Sequence, residues 1–160
     1  MTSGFNYKEF VRWAEKLGTA EKDFQLWLKM FLLQQAQRVV ALAKERQELV
    51  GAIDTGAMIN SWYIGNQKIA LTGAGGISKT GKATVKIDPE KSDITSIAVV
   101  GDYLQVEIGN GMEYASYIEY GQRSYTGKYL LTIALDTVRS QLPARFNKEW
   151  SQFLKARGVV

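Results

Sequence analysis

The chain of 160 residues contains no cysteine, no histidine and only two prolines. Without cysteine it has neither disulfides nor thiolate metal ligands, which fits a reducing compartment. Without histidine it lacks the Ser-His and Cys-His nucleophile systems, the usual zinc ligand and the side chain that titrates nearest neutrality. Catalysis would fall to carboxylates, lysines, tyrosines or a borrowed cofactor. The expectation is therefore a protein that is not an enzyme, with no metal and no cofactor. No window approaches the roughly 18 consecutive apolar residues of a membrane span, so no membrane partner is expected. The N-terminal MTSGFNYKEF lacks the charged-then-apolar layout of a secretory signal.

What is present is globular. The chain is 46% hydrophobic, and its length suits a single α+β domain with a sizeable core. The net charge of +4 is unevenly spread. Residues 68–91 carry a local +3, residues 92–128 a local −3 and residues 129–160 again +3. Such separation steers association with an oppositely charged surface, and it equally suits two solvated faces.

Periodicity divides the chain into a helical part at 1–50, a sheet at 51–125 and a C-terminal helix at 126–158. Tyr7 to Leu17 reads as a short amphipathic helix stopped by Gly18. Thr19 then offers a cap for a long helix reaching about Leu49. Phe24, Trp27, Leu28, Phe31, Val39 and Leu42 recur at helical spacing, and Met30, Leu32 and Leu33 widen the apolar surface. Such a helix touches a second surface besides its own core. Ser61 to Gly121 reads as about four to five mostly antiparallel strands, among them Trp62–Gly65, Lys68–Leu71, Thr84–Asp88, Ile94–Val100 and Tyr103–Ile108. Residues 66–82 form the tip of a long hairpin in this reading. Thr126 is placed to cap the last helix, and Pro143 is expected to kink or restart it near Gln141.

Three stretches suggest chemistry. Asp54-Thr55-Gly56-Ala57 spells the signature of aspartic proteases. Those enzymes pair two carboxylates that share one proton, the second supplied by another lobe or by a dimer partner. The helical ends of this chain do not suit a compact all-β protease. The competing reading makes Asp54 or Thr55 the cap of a short turn over Gly56 to Asn60. Gly76-Ile-Ser-Lys-Thr-Gly81-Lys82-Ala83 nearly spells a phosphate-binding loop, but Ala83 replaces the hydroxyl that holds magnesium and no helix follows. Lys79, Lys82 and Lys86 read instead as a basic hairpin arm, able to meet DNA phosphates non-specifically. Glu113-Tyr-Ala-Ser-Tyr-Ile-Glu-Tyr-Gly121 alternates tyrosines and glutamates with small or apolar residues, which suits a domain edge or an interface.

Asp54-Thr-Gly-Ala-Met-Ile-Asn-Ser-Trp62, followed by Glu113-Tyr-Ala-Ser-Tyr-Ile-Glu-Tyr-Gly121 and a C-terminal helix, resembles the neck or tail-completion proteins of long-tailed bacteriophages. The matching positions are Asp54, Thr55, Gly56, Asn60 and Ser61, then Tyr114, Ala115, Tyr117, Glu119 and Gly121. Departures are Ala52-Ile53 where a proline often stands, Gln122 where the family has threonine, and no proline before Leu130. The resemblance implies a non-enzymatic component of a phage or phage-derived particle at the head–tail junction or top of the tail. It implies assembly in the host cytoplasm as a ring of copies of itself, such as a hexamer. Its neighbours would be other neck, tail-tube or head-closure proteins. On that view Asp54, Thr55, Gly56, Asn60 and Ser61 fix a turn from helix into strand, and Tyr114, Ala115, Tyr117, Glu119 and Gly121 shape the edge that meets another subunit. Lys79, Lys82 and Lys86 lie on the arm that reaches a neighbour.

Overall fold

Two long helices pack against each other, and the described residues also form three small antiparallel sheets. The computed structural model describes residues 5–16, 21–52, 56–73 and 86–157. In chain order the elements are β1 (Phe5–Asn6), α1 (Tyr7–Lys16), α2 (Glu21–Leu49), β2 (Trp62–Ile64) and α3 (Lys68–Gly73). Then come β3 (Ala98–Val100), β4 (Tyr103–Gln105), β5 (Ile108–Asn110), α4 (Ala115–Tyr120), β6 (Gly121–Gln122), β7 (Tyr125–Thr126) and α5 (Leu130–Ala156). The α+β class, the long N-terminal helix and the C-terminal helix all stand as the periodicity predicts.

The 29 residues of α2 give a rod about 44 Å long. Its buried positions, including Phe24, Leu28, Phe31, Ala36, Val39, Val40 and Ala43, exceed a single stripe. One side meets α5, while others meet α1, β2 and the turn at Ile94–Ser96. Against α5 the contact is aromatic. Trp27 lies 5.2–5.6 Å, centroid to centroid, from Phe31, Phe146, Trp150 and Phe153, and 6.3 Å from Phe24. Each such pair adds roughly 0.5–1.5 kcal/mol beyond the area it buries, so this cluster clamps the start of α2 to the end of α5.

That clamp bears on the expectation at Pro143. Of the expected kink or restart near Gln141, the restart does not occur: α5 runs as one helix through Pro143. The proline costs about 3 kcal/mol of helix propensity. However, the stripe Leu130, Ala134, Val138, Phe146, Trp150 and Leu154 stays in phase across it, and packing on α2 outweighs the local loss.

The sheets follow the order β1-β4-β3, β2-β5 and β6-β7. Their strands are shorter than the alternating pattern suggests, because side chains divert the backbone. Asp93 accepts from the Thr95 N–H at 2.9 Å and caps a 3₁₀ turn at Ile94–Ser96, so the expected strand begins only at Ala98. Asp88 caps the turn at Pro89–Lys91 in the same way, and residues 86–88 pair with no strand. Lys68–Leu71 is helix rather than strand. Gly65 turns the chain at φ +53, the Gln67 side chain accepts from the Ile64 N–H at 3.0 Å, and α3 starts directly afterwards. Residues 66–73 are thus turn and helix, not part of the expected hairpin tip, while residues 74–85 lie outside the described part.

Candidate functional site

The first motif is built by backbone turns. Gly56 takes φ +76, which favours glycine, and its carbonyl accepts from the Asn60 N–H at 3.1 Å. Ser61 is buried, donating its hydroxyl to the Ala57 carbonyl at 2.6 Å. Its own carbonyl accepts from Gly111 N–H at 3.0 Å, beside the β2-β5 pair. The Asn60 carbonyl accepts from Ile87 N–H at 2.9 Å. Asn60 and Ser61 therefore tie the turn to two separate segments. Asp54 and Thr55 lie outside the described residues.

Gln47, 1% exposed, bridges α2 to this turn: it donates to the Ala52 carbonyl at 2.9 Å and accepts from the Trp62 indole at 3.0 Å. A buried amide is stabilising only when so satisfied. Sequence reading passes over Gln47 because a lone glutamine near a helix end looks solvated. The tryptophan directly after the turn is the available signal, since a buried indole needs an acceptor.

The second motif forms α4 and the hairpin β6-β7. Glu119 is 7% exposed and turned inward. Its carboxylate accepts from the Leu131 N–H at 2.9 Å, the Thr132 N–H at 2.8 Å and the Thr132 hydroxyl at 2.7 Å. These are the orphan donors at the start of α5, so Glu119 caps that helix from outside it and meets the positive end of its dipole. Thr126, expected to do this, lies in β7, and the helix starts only at Leu130 after Tyr129 at φ 51, ψ 47. The clue is a helix start with no Ser, Thr, Asp or Asn directly before it.

Two glycines let the chain close this junction. A side chain on Gly121, at φ +84, would meet the Tyr125 carbonyl at 2.5 Å and Gly127 N at 2.7 Å. One on Gly127 would meet the Glu119 carbonyl at 2.6 Å. Lys128 N–H and Tyr129 N–H then donate to the carbonyls of Ile118 and Glu119 at 2.7 and 3.0 Å. Tyr114 and Ala115 are half-buried and pack on the core. Tyr117, Tyr120, Tyr125 and Tyr129 remain 42–69% exposed.

The two motifs meet. A cleft of about 230 Å³ is lined by Gly56 and Met58 from the first, Tyr114 and Ile118 from the second, and Gln47, Ala52 and Tyr125 around them. Stretches some sixty residues apart in sequence thus form one site.

Among the described residues that line it there is no carboxylate, lysine or arginine. The nearest thing to a chemical cluster is Tyr63, Lys68 and Glu107 near the β2-β5 pair, where the tyrosine hydroxyl and the ammonium both donate to Glu107 Oε1, at 2.8 and 2.9 Å. Burial, then the bond to Glu107, pushes the Tyr63 phenol up. The bond to Lys68, then that to Tyr63, pulls Glu107 down. The bond to Glu107 raises Lys68. Every shift deepens the resting protonation state, the reverse of tuning toward neutrality. Among the described residues no group of three or more carboxylates could hold a metal, and no helix is long and apolar enough to cross a membrane. Of the lysine arm, Lys86 is exposed, and Lys79 and Lys82 lie outside the described residues.

A family model described as "Bacteriophage HK97-gp10, putative tail-component" matches residues 12–121. The chain belongs to the HK97-gp10-like family. The match runs from within α1 to Gly121, so it contains α2, the strands β2 to β5, and both motifs. The HK97-gp10-like family is one of structural tail components, which gives this chain a place in the virion. No curated protein and no solved structure matches the chain.

Proposed function

We propose that this HK97-gp10-like protein is a joining component at the head–tail junction or the top of the tail, assembled as a ring of identical copies. The observation that carries the reading is the exposed tyrosine face of the junction. Tyr117, Tyr120, Tyr125 and Tyr129 stand out from a segment whose backbone is locked by Glu119, Gly121 and Gly127. Rigid, half-exposed aromatics on a locked scaffold are the composition of interface hot spots.

In this proposal Asp54, Thr55, Gly56, Asn60 and Ser61 set the turn that shapes one wall of the cleft. Tyr114, Ala115 and Gly121 shape the other wall, Tyr117 makes the contact, and Glu119 acts from inside by fixing where the tyrosines stand. The arm bearing Lys79, Lys82 and Lys86 lies against a neighbouring subunit or ring.

The test is sedimentation of the purified chain together with electron microscopy of tails assembled with and without it. The proposal expects rings in solution or on the tail, and particles lacking the chain whose heads and tails fail to join. A chain that stays monomeric in both settings rules out the ring. Asp54→Ala is expected to impair folding or assembly, and a variant normal in both would refute the turn role. Should DNA binding fall steeply with salt and vanish when Lys79, Lys82 and Lys86 are neutralised, the arm meets DNA instead of protein.

A further inference from the structure

A ring built head to tail joins two unlike surfaces of each copy, so the tyrosine face requires a complement elsewhere on the same chain. Resting on that ring reading, we infer that the complement is the open edge of β3: the β6-β7 hairpin of one copy docks on Ala98–Val100 of the next.

The hairpin tip is cationic and exposed. Between Gln122 and Tyr125 the chain turns through Arg123, held at φ 51 although it is not glycine. Arg123 is exposed and, among the described residues, makes no hydrogen bond or ion pair. Lys128 sits 5.5 Å from the Tyr125 ring centre. Because Glu119 is buried, the solvent-facing charges of residues 114–129 are positive and lie among exposed tyrosines. A non-glycine residue held at positive φ on an exposed loop tip is where backbone strain most often serves a contact.

β3 offers the opposite. It is one of the two edge strands of the β1-β4-β3 sheet, and Val99 and Val100 are 51% and 49% exposed. The Tyr7 N–H donates to the Asp102 carbonyl at 2.9 Å, and Leu104 is registered against Phe5, so the polar backbone groups of Leu104 face β1. Val99 stands opposite Leu104. By the alternation of an antiparallel ladder its own N–H and C=O then point away from β4, to the open edge. The segment leading into this edge is acidic: residues 88–97 carry Asp88, Glu90 and Asp93 against Lys91, which pairs with Asp88. Glu90 and Asp93 are exposed and, among the described residues, enter no salt bridge. Among the described residues, an unpaired strand edge with exposed valines, entered through a segment that carries Glu90 and Asp93 outside any salt bridge, fits a short basic hairpin with exposed tyrosines, in backbone, apolar and charged chemistry together.

Because the chain has no cysteine, single cysteines report the contact cleanly. Val99→Cys and Ser124→Cys chains, mixed and mildly oxidised, are expected to yield a linked dimer many-fold above either alone. They should equally exceed a control pair of Ser124→Cys with Lys155→Cys. Arg123→Glu is expected to weaken self-association roughly tenfold at low salt, and mixing it with Glu90→Arg, which leaves the Asp93 cap in place, to restore most of the loss. Arg123→Gly, which relieves the backbone, should also weaken association while the monomer folds normally. If the wild-type chain associates but the Val99/Ser124 pair links no better than the control, this contact is wrong and the ring stands. Linking of Val99→Cys to itself would likewise overturn it, as edge-to-edge pairing. A wild-type chain monomeric in solution and on tails removes the ring and this contact together.

Discussion

Replacing Glu119 by alanine should be among the most damaging single changes in the molecule, although the residue lies in what the sequence presents as a surface motif. Three donors point at its carboxylate from the start of α5, at 2.7–2.9 Å, and the side chain is 7% exposed. Hydrogen bonds to a charged acceptor contribute roughly 1.5–3 kcal/mol each, with strong non-additivity when they share one group. Loss of a helix cap alone costs about 1–2 kcal/mol. Leaving buried N–H groups without an acceptor adds to that, so Glu119→Ala is expected to cost about 3–5 kcal/mol. For a chain of this size that lowers the melting temperature by roughly 10 °C. Glu119→Gln keeps one acceptor oxygen but turns an NH₂ toward a donor, and should lose about half as much. The assay is urea unfolding followed by circular dichroism, with the slope against denaturant checked for constancy. Glu119→Ala within about 1 kcal/mol of wild type would refute the capping role, and with it the reason the tyrosine face is rigid.

Three further outcomes rest on the geometry. Gly121→Ala places a methyl against the Tyr125 carbonyl and Gly127 N in a backbone at φ +84; it should destabilise by about 2–4 kcal/mol, measured by the same unfolding curves. Trp27→Ala removes the ring that five others surround, and should cost about 3–5 kcal/mol, with the near-ultraviolet dichroism of the aromatic cluster collapsing. The bonds from Lys68 and Tyr63 hold Glu107 below its ordinary value of 4.5. A carboxylate depressed in the folded state contributes stability that is present above its unfolded pKa and lost as pH falls through the folded one. Wild-type stability should therefore fall more steeply below about pH 4.5 than that of Glu107→Gln. The difference should be small and salt-sensitive, because the pair is half-exposed. Identical acid profiles would count against the triad.

Helix α2 is legible in the sequence almost to its ends because length and apolar spacing speak locally, and a helix of that size needs no distant partner to be recognised. The aromatic stripe of α5 is legible for the same reason, but its continuity through Pro143 is not, since that is decided by α2 across the interface. Lys68–Leu71 alternates as a strand would, yet only Leu71 is buried and Lys68 is held by Glu107; a four-residue pattern does not separate strand from helix. Asp88 and Asp93 are visible as turn formers, but their power to cut two expected strands short depends on caps that form only in the folded chain. The two motifs are legible as words. That they share a cleft, and that Glu119 faces inward to hold α5 rather than outward, depends on a contact across twelve residues and on two glycine-permitted close approaches. No periodicity encodes these.

The central claim is that the tyrosine-bearing junction places this HK97-gp10-like chain in a ring where the tail meets the head. Electron cryomicroscopy of purified particles, compared with particles lacking the chain, tests it most directly. The account predicts ring density at the upper end of the tail that disappears with the chain, with α4 and the β6-β7 hairpin at the contact between copies. Density along the tail shaft, at its tip, or absent from the particle would contradict it.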